Sequence, residues 1–223
     1  TASGPSHPVV KWIRWTYWLL IPLTLGFMVA HNLLDFFAKL IRRRPRHEAG
    51  GEVSRMNLNF RIAHAGVILS FPTLVYTGFA LKYPEAWWAR PLLLWEGHFA
   101  FRGLVHRTAA IVLIASTIYH VIHLAAVRKD RLFLKAMLPQ WKDATDLVQV
   151  FAYNLGLSKV EPRFAKFNYA EKMEYWAFMW GTVVMTVSGF LLWFNNFTLR
   201  YFPKWISDAA TAIHYYEALL ATF

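Results

Sequence analysis

Five long apolar stretches run through this chain of 223 residues, and they restrict its fold more than any other feature. A helix of about 20 apolar residues crosses the hydrocarbon core of a bilayer, so four of the stretches predict transmembrane helices. The fifth holds only about 14 residues, or about 21 Å of helix, and we expect this last helix to be cut short. We therefore predict an all-α transmembrane protein with helices over residues 12–37, 62–81, 104–127, 173–197 and 210–223.

The composition excludes several other classes of protein. Hydrophobic residues make up 57% of the chain and charged residues 17%, whereas a soluble domain carries roughly 25% charge. The absence of cysteine excludes disulfides, iron–sulfur ligation and covalent c-type haem attachment within this sequence. The net charge of +11 is concentrated in the loops between the apolar stretches, which indicates membrane topology and not nucleic-acid binding.

The basic loops predict the orientation in the membrane. Loops 39–61 and 128–172 are rich in arginine and lysine, whereas loops 82–103 and 195–209 carry fewer basic residues. By the positive-inside rule the first pair faces the cytoplasm, which puts the N-terminus of this multi-pass protein on the outer, periplasmic side. Residues 141–157 mix apolar with charged residues, and we predict an amphipathic helix on the cytoplasmic surface there, ended by the Asn-Leu-Gly run at 154–156.

Four histidines in the spans are the candidate functional residues: His64, His106, His120 and His214. An ionisable residue inside a membrane is expensive, so each one is a functional-site hypothesis by default. His106 and His120 share one span, and their separation places them within about 40° of the same helix face and about 21 Å apart along the axis. Each can therefore face the interior of a bundle, near opposite surfaces of one bilayer.

The predicted topology sorts these histidines by depth. His106 and His214 share the outer level, while His64 and His120 share the inner level. A b-type haem needs two axial imidazoles at one depth on facing helices, so the pattern favours two stacked haems that carry electrons across the membrane. The outer haem would take His106 and His214. The inner haem would take His64 with a second ligand, either His120 or a residue beyond the end of this sequence.

Other interpretations of the same residues stay open. A histidine near a span end often hydrogen-bonds a carbonyl or a lipid headgroup, and His31 and His123 fit that role. Zinc is disfavoured, because no cysteine and few buried carboxylates accompany the histidines. Arg61, Arg102 and Arg107 at span ends could pair with haem propionates or extend to lipid headgroups. Several glycines lie on or beside the spans, where helices or a porphyrin approach closely: Gly66, Gly78, Gly103, Gly181 and Gly189.

A series of short motifs covers residues 55–223. They are Arg-Ile-Ala-His at 61–64, Val-His-Arg at 105–107, Lys-Phe-Asn-Tyr-Ala-Glu-Lys at 166–172, Glu-Tyr-Trp at 174–176, Ser-Gly-Phe-Leu-Leu-Trp-Phe at 188–194 and Ile-His-Tyr-Tyr-Glu-Ala at 213–218. Their order and the loop lengths between them resemble the cytochrome b (gamma) subunits of membrane formate dehydrogenases, with relatives in nickel–iron hydrogenases and multihaem c-type complexes.

The resemblance implies a core of four transmembrane helices that holds two stacked b haems, with a quinone site on the cytoplasmic side. Carried over by residue, it makes His106 and His214 the ligands of the outer haem and His64 one ligand of the inner haem. The family's partner of that last ligand lies about four helical turns past His214, beyond this sequence. Asn168 matches the quinone-contacting asparagine of the family, and Lys172 lies one turn further on.

The sequence departs from the family pattern at two points. Residues 12–37 form an extra N-terminal transmembrane helix, which suits a preceding periplasmic electron-carrier domain or subunit. His120 is not a ligand in the family. It either supports another ligand, replaces the missing partner of His64, or binds a third haem with His31 or His123.

These inferences predict a di-haem cytochrome b of the bacterial inner membrane, an electron-transfer subunit of a quinone-linked oxidoreductase complex. Its partners would be a periplasmic multihaem cytochrome c or iron–sulfur subunit, membrane lipid, and quinone or menaquinone. We divide the chain into an N-terminal helix with a basic cytoplasmic linker, residues 1–45, and a di-haem domain, residues 55–223. Two alternative functions are a haem-containing membrane anchor without its own quinone site and a histidine-lined proton or ion transporter. Candidates for proton relay are Glu171, Lys172 and Glu174.

Overall fold

The computed structural model describes residues 7–42, 57–94 and 101–223, and the regular elements in those ranges are helical, which confirms the all-α prediction. The basic linker up to residue 45 ends outside the described residues, as does the predicted domain start at residue 55. The elements are α1 (Pro8–Arg42), α2 (Leu58–Lys82), a 3₁₀ turn (Trp87–Ala89), α3 (Arg90–Leu93), α4 (Phe101–Ala126), α5 (Arg128–Met137), α6 (Trp141–Asn154), α7 (Tyr169–Trp193), α8 (Asn195–Tyr201) and α9 (Lys204–Thr222).

Four of the described helices, α1, α2, α4 and α7, are long and apolar enough to cross a membrane. They overlap the first four predicted spans, but each begins three or four residues earlier than predicted. Pro22 and Pro72 lie inside α1 and α2, and both helices continue past their proline, as membrane helices tolerate. The fifth predicted span is α9, which has 19 residues and begins at Lys204, not near Ala210.

Polar residues explain the early starts of α7 and α9. Asn168 accepts the backbone N–H of Glu171, and the Glu171 carboxylate accepts the backbone N–H of Asn168, both at 2.8 Å. This capping box starts α7 at Tyr169, ahead of its apolar stretch. Helix α9 begins directly after Pro203, and its first turn is too polar for hydropathy to detect.

The predicted surface helix over residues 141–157 is α6, which ends at Asn154. Gly156 follows with a φ of 84°, a left-handed conformation that glycine adopts without a steric penalty. The prediction that this Asn-Leu-Gly segment ends the helix is confirmed. Hydropathy does not predict α5, a short helix with a basic, amphipathic sequence.

The contacts divide the chain into two compact units. Unit one comprises Thr1–Gly51 and Lys135–Phe223, and its helices include α1, α6, α7, α8 and α9. Unit two comprises Glu52–Leu134, and its helices include α2, α3 and α4. The candidate histidines are therefore distributed over both units.

Unit two is built on the pairing of α2 with α4. Gly66 lies so close to Ser116 that a Cβ at the glycine would overlap the serine side chain. Near one end of the pair, the buried Arg102 donates to a carbonyl of α2 at 2.7 Å. Near the other, Asn57 caps α2 and its amide donates to the buried Asp130 at 2.5 Å. Close contact at Gly66 and the Arg102 hydrogen bond hold α2 against α4, and the Asn57 hydrogen bond joins α2 to α5, the helix that follows α4.

Unit one packs the extra N-terminal helix, α1, along α9. Val10 meets Ala209 and Ala212 in an apolar cluster. Further along the two helices, the Tyr17 hydroxyl donates to the Glu217 carboxylate at 2.7 Å. A carboxyl group in lipid requires such a donor, because the hydrocarbon offers none. Helix α1 is therefore a packed member of this unit.

The close approach of α2 and α4 generates a stability prediction. We expect Gly66→Ala to lower the free energy of unfolding by about 1–3 kcal/mol, because the new Cβ forces the helices apart. Denaturation of the purified protein in detergent measures the effect. Gly103→Ala on α4 is the matched control, since a Cβ there meets nothing within 4 Å. Equal stability of the two variants would show that Gly66 is not a close-packing position.

Candidate functional site

His106, on α4, is held against α2 within unit two. Its Nδ1 atom lies 3.0 Å from the Thr77 hydroxyl oxygen. The Cε1 atom faces Gly78, where a Cβ would come within 3.2 Å of the ring. The ring also hydrogen-bonds the backbone of Leu74, which lies one turn before Thr77. The Nδ1–Cε1 edge of this half-buried imidazole is thus fitted to the surface of α2.

His214, on α9, is held against α7 within unit one. Its Nδ1 atom lies 2.9 Å from the Ser188 hydroxyl oxygen. The Cε1 atom faces Gly189, where a Cβ would come within 3.3 Å of the ring. The half-buried imidazole is therefore held by its Nδ1–Cε1 edge, in the same manner as His106.

The two sites share a sequence signature as well as a geometry. In each, a hydroxyl residue, a glycine and a phenylalanine follow one another on the helix that receives the histidine: residues 77–79 and residues 188–190. A histidine that ligates iron uses one ring nitrogen, while the other is normally hydrogen-bonded so that the ring is oriented. The glycines supply space beside each ring that a Cβ would fill. Both settings therefore fit an axial ligand of a b-type haem.

The other predicted ligands and their arginines have different surroundings. His64 lies exposed on α2, and Arg61 and Arg107 are exposed near the starts of α2 and α4. His120 is half-buried on α4, and its ring packs against Phe60 of α2 with the centroids 5.2 Å apart. The arginines are placed to reach a propionate or a lipid headgroup, so the two interpretations of them stay open.

His31 and His123 have polar partners within their own units. The Nε2 atom of His31 lies 2.5 Å from the hydroxyl of Tyr169, the first residue of α7. The Nδ1 atom of His123 lies 3.1 Å from the amide nitrogen of Asn59. These contacts favour the interpretation of both histidines as hydrogen-bonded structural residues.

The residues predicted to contact a quinone lie at the start of α7 in unit one. Asn168 is half-buried, and its Oδ1 atom is engaged in capping the helix. Lys172 is buried, and its Nζ atom lies 2.8 and 3.0 Å from the two carboxylate oxygens of Asp143 on α6. The ion pair joins α6 to the first turn of α7 and keeps the lysine charge compensated.

Asp143 carries an altered acidity because of this arrangement. Burial raises the pKa of its carboxyl group, but the hydrogen bond from Lys172 and that from the backbone N–H of Gln140 lower it. The positive charges of Lys172 and Lys142 lower it further, and the net pKa lies below the ordinary value. The carboxylate is therefore ionised throughout the physiological range.

Several residues of these sites were not among the sequence-based candidates. Thr77 and Ser188 hold the two histidine rings, and Asp143 and Tyr169 join the cluster at the start of α7. A hydroxyl residue directly before a glycine inside an apolar span was a usable signal for the first two. Pairing of Asp143 with Lys172 depends on the fold, and nothing in the local sequence marks it.

Apolar helices that present oriented histidines fit the class of membrane b-type cytochromes, in which imidazoles from facing helices hold the haem iron. The family profile of prokaryotic cytochrome b561 matches residues 55–223. The chain belongs to this family, which supplies the cytochrome b subunits of nickel–iron hydrogenases and related complexes, and the resemblance found in the sequence is confirmed. No curated protein matches the sequence significantly. The protein is thus a multi-pass, haem b electron-transfer subunit of a membrane redox complex.

The buried ion pair generates a prediction about pH and stability. A carboxyl group with a lowered pKa stabilises the fold above its unfolded-state pKa of about 3.9, and that contribution disappears as the pH falls through the folded pKa. We expect Asp143→Asn to cost about 3 kcal/mol near neutral pH, because Lys172 loses its carboxylate while the cap is retained. Denaturant unfolding in detergent at several pH values measures both effects.

A control variant separates the buried pair from an ordinary surface pair. The side chains of Lys204 and Asp208 are 81% and 47% exposed, so Asp208→Asn should cost no more than about 1 kcal/mol. The double variant Asp143→Asn with Lys172→Met should recover part of the loss, because it removes the uncompensated lysine. A single variant as stable as the control would contradict the ion pair.

Proposed function

We propose that this cytochrome b subunit carries two b haems and passes electrons between a periplasmic redox partner and the quinone pool. The observation that carries the proposal is the shared setting of His106 and His214, each held through Nδ1 by a helix hydroxyl and packed against a glycine. When bound, a b haem supplies a one-electron carrier whose potential depends on its axial ligands and surroundings. The polypeptide supplies the ligands, their orientation and a dry environment.

We assign His106 and His214 as the axial ligands of the outer haem. Support comes from their matching depth in the predicted topology, from the family motifs that contain them, and from their equivalent hydrogen bonds. Arg107 follows His106 directly and is exposed, which suits a hydrogen bond to a haem propionate.

We assign His64 to the inner haem, with Arg61 one turn before it as the propionate partner. His64 is exposed on α2, as expected for a side chain that meets a cofactor outside the α2–α4 contact. His120 packs against Phe60 in that contact. His64 and His120 lie on helices that pack directly against each other, which favours a supporting role for His120.

We assign Asn168 and Lys172 to the quinone site. The Oδ1 atom of Asn168 caps α7, so the amide N–H groups are the part of this side chain that can donate to a quinone carbonyl. Proton exchange with the quinone requires ionisable groups at the same end of α7, and Glu171, Lys172 and the exposed Glu174 lie there. Glu171 also accepts a backbone hydrogen bond and Lys172 is buried, so Glu174 is the most exposed of these candidates.

The periplasmic partner is assigned from the predicted topology. The basic loops favour an N-terminus outside the cytoplasm, and α1 packs along α9, the helix that carries His214. A multihaem cytochrome c or an iron–sulfur subunit on that side would exchange electrons with the outer haem.

The ligand assignment is tested by haem content. We expect His106→Ala and His214→Ala each to remove the same single haem, because both histidines would be needed to hold it. Pyridine haemochrome assay and reduced-minus-oxidised spectra of the purified variants measure the number and identity of the haems. His7→Ala is the control, since His7 is exposed before the first span, where its ring stacks on Trp205 and its Nδ1 accepts the backbone N–H of Val9 at 3.3 Å.

Three outcomes would contradict the assignment. If the two variants removed different haems, the pairing of these histidines would be wrong. Retention of both haems in either variant would mean that its histidine is not a ligand. Absence of a b-type spectrum in the wild-type protein would contradict the electron-transfer function and favour the transporter alternative.

The quinone site is tested by replacing one amide. Asn168→Ser keeps a residue that caps helices well but removes the amide N–H groups. We expect quinol-driven haem reduction to slow about 3- to 10-fold, the loss of one neutral hydrogen bond of about 1 kcal/mol. Stopped-flow absorbance at the haem band measures the rate.

Two controls accompany this measurement. Asn57→Ser makes the same change at the cap of α2 and should leave the rate unchanged. Reduction by dithionite, which needs no quinone site, should be equal in all proteins. A normal rate in Asn168→Ser would favour a haem-containing anchor without its own quinone site.

A further inference from the structure

Thr77 and Ser188 each have only one hydroxyl proton, and the structure shows where it goes. The Thr77 hydroxyl donates to the carbonyl of Thr73 at 2.6 Å, and the Ser188 hydroxyl donates to the carbonyl of Val184 at 2.8 Å. These are the i−4 backbone bonds that Ser and Thr form inside helices. Two oxygens at such distances require a proton between them, so neither hydroxyl can also donate to its histidine.

The histidines must therefore be the donors in the contacts at 3.0 and 2.9 Å. The proton lies on Nδ1 in both His106 and His214, and each hydroxyl oxygen accepts it; in His106 the backbone carbonyl of Leu74 is a second acceptor. A neutral imidazole with its proton on Nδ1 carries its lone pair on Nε2, and the lone pair is what binds a metal.

We propose that Thr77 and Ser188 are positioning residues that select the Nε2-ligating tautomer of the two histidines and set the strength of their bonds to haem iron. The inference rests on the proposed ligation of haem by His106 and His214. An acceptor on Nδ1–H increases electron donation from Nε2, which stabilises ferric iron and lowers the reduction potential.

The acceptor is a neutral hydroxyl, and its oxygen is polarised by the hydrogen bond that it donates. It pulls on the imidazole proton less than a carboxylate would, so the ring keeps its proton on Nδ1. The adjacent glycines, Gly78 and Gly189, allow the ring edge to come close enough for this bond. The hydroxyl residue and the adjacent glycine form one structural arrangement, which occurs once on α2 and once on α7.

The test removes each hydroxyl in the haem-loaded, full-length protein. We expect Thr77→Val and Ser188→Ala each to raise the midpoint potential of one haem, measured by redox potentiometry at the b-type bands. Transfer of haem to apomyoglobin should be about 10- to 100-fold more favourable, the usual penalty for losing a residue that orients a metal ligand. Thr77→Ser and Ser188→Thr keep the hydroxyl and should restore both values.

Two matched controls lie on the same helices. Thr73 and Thr182 donate to the carbonyls of Leu69 and Phe178 by the same i−4 geometry. Thr73→Val and Thr182→Val remove this bond without touching the hydroxyls that face the two histidines. We expect them to leave the potentials and the haem transfer at wild-type values.

A direct measurement covers the case in which a variant loses its haem. In protein labelled with ¹⁵N-histidine, diamagnetic both when haem-free and when its haem is reduced, the Nδ1–H groups of His106 and His214 should exchange slowly with solvent. Each signal should exchange faster when its own hydroxyl is removed and stay unchanged when the other is removed.

The outcomes separate this inference from the proposed function. Potentials, haem transfer and N–H exchange equal to those of the controls would overturn it. If Thr77→Val and Ser188→Ala shifted two different haems, the pairing of the histidines would fail while the role of the hydroxyls stood. If both variants shift the potential of the same haem, the result supports the role of the hydroxyls and the pairing of the histidines.

Discussion

An imidazole on a membrane-spanning helix needs polar partners from the protein, because the surrounding hydrocarbon supplies none. Here the partner is a hydroxyl that already donates a hydrogen bond to a backbone carbonyl of its own helix. Thr77 and Ser188 give their proton to a backbone carbonyl and use the remaining lone pairs to accept from a histidine. No additional donor or acceptor has to be buried. The proposed haem ligation, and with it the electron path, depends on rings held in this way.

Close helix contact is the second requirement, and small residues provide it. Gly78 and Gly189 admit the ring edges, while Gly66 admits Ser116 where α2 and α4 approach. Between membrane helices packing cannot draw on a hydrophobic driving force, so van der Waals contact and a few hydrogen bonds carry the association. The hydroxyl residue lies directly before the glycine. The close approach that the glycine permits therefore also brings the histidine within hydrogen-bond distance of the hydroxyl.

At the start of α7 a buried charge is compensated by an ion pair. Lys172 is buried beside Asp143, and His31 of α1 lies against Tyr169. A buried ion pair contributes less net stability than its distance implies, because both charges lose water, but it is expensive to break. Such a cluster fixes the first turn of α7, next to the residues that we assign to quinone.

The sequence by itself determined the helical class, the first four spans, the end of α6 and the histidines worth testing. Apolar length and the cost of intramembrane charge are local properties, so they can be read along the chain. All five helices begin earlier than their predicted spans, and at α7 the reason is a polar cap that hydropathy ignores. Only the tertiary structure decided that Thr77 meets His106, Ser188 meets His214, Tyr17 meets Glu217 and Asp143 meets Lys172. These pairs join residues on different helices, and their identity follows from helix packing, which no local pattern specifies.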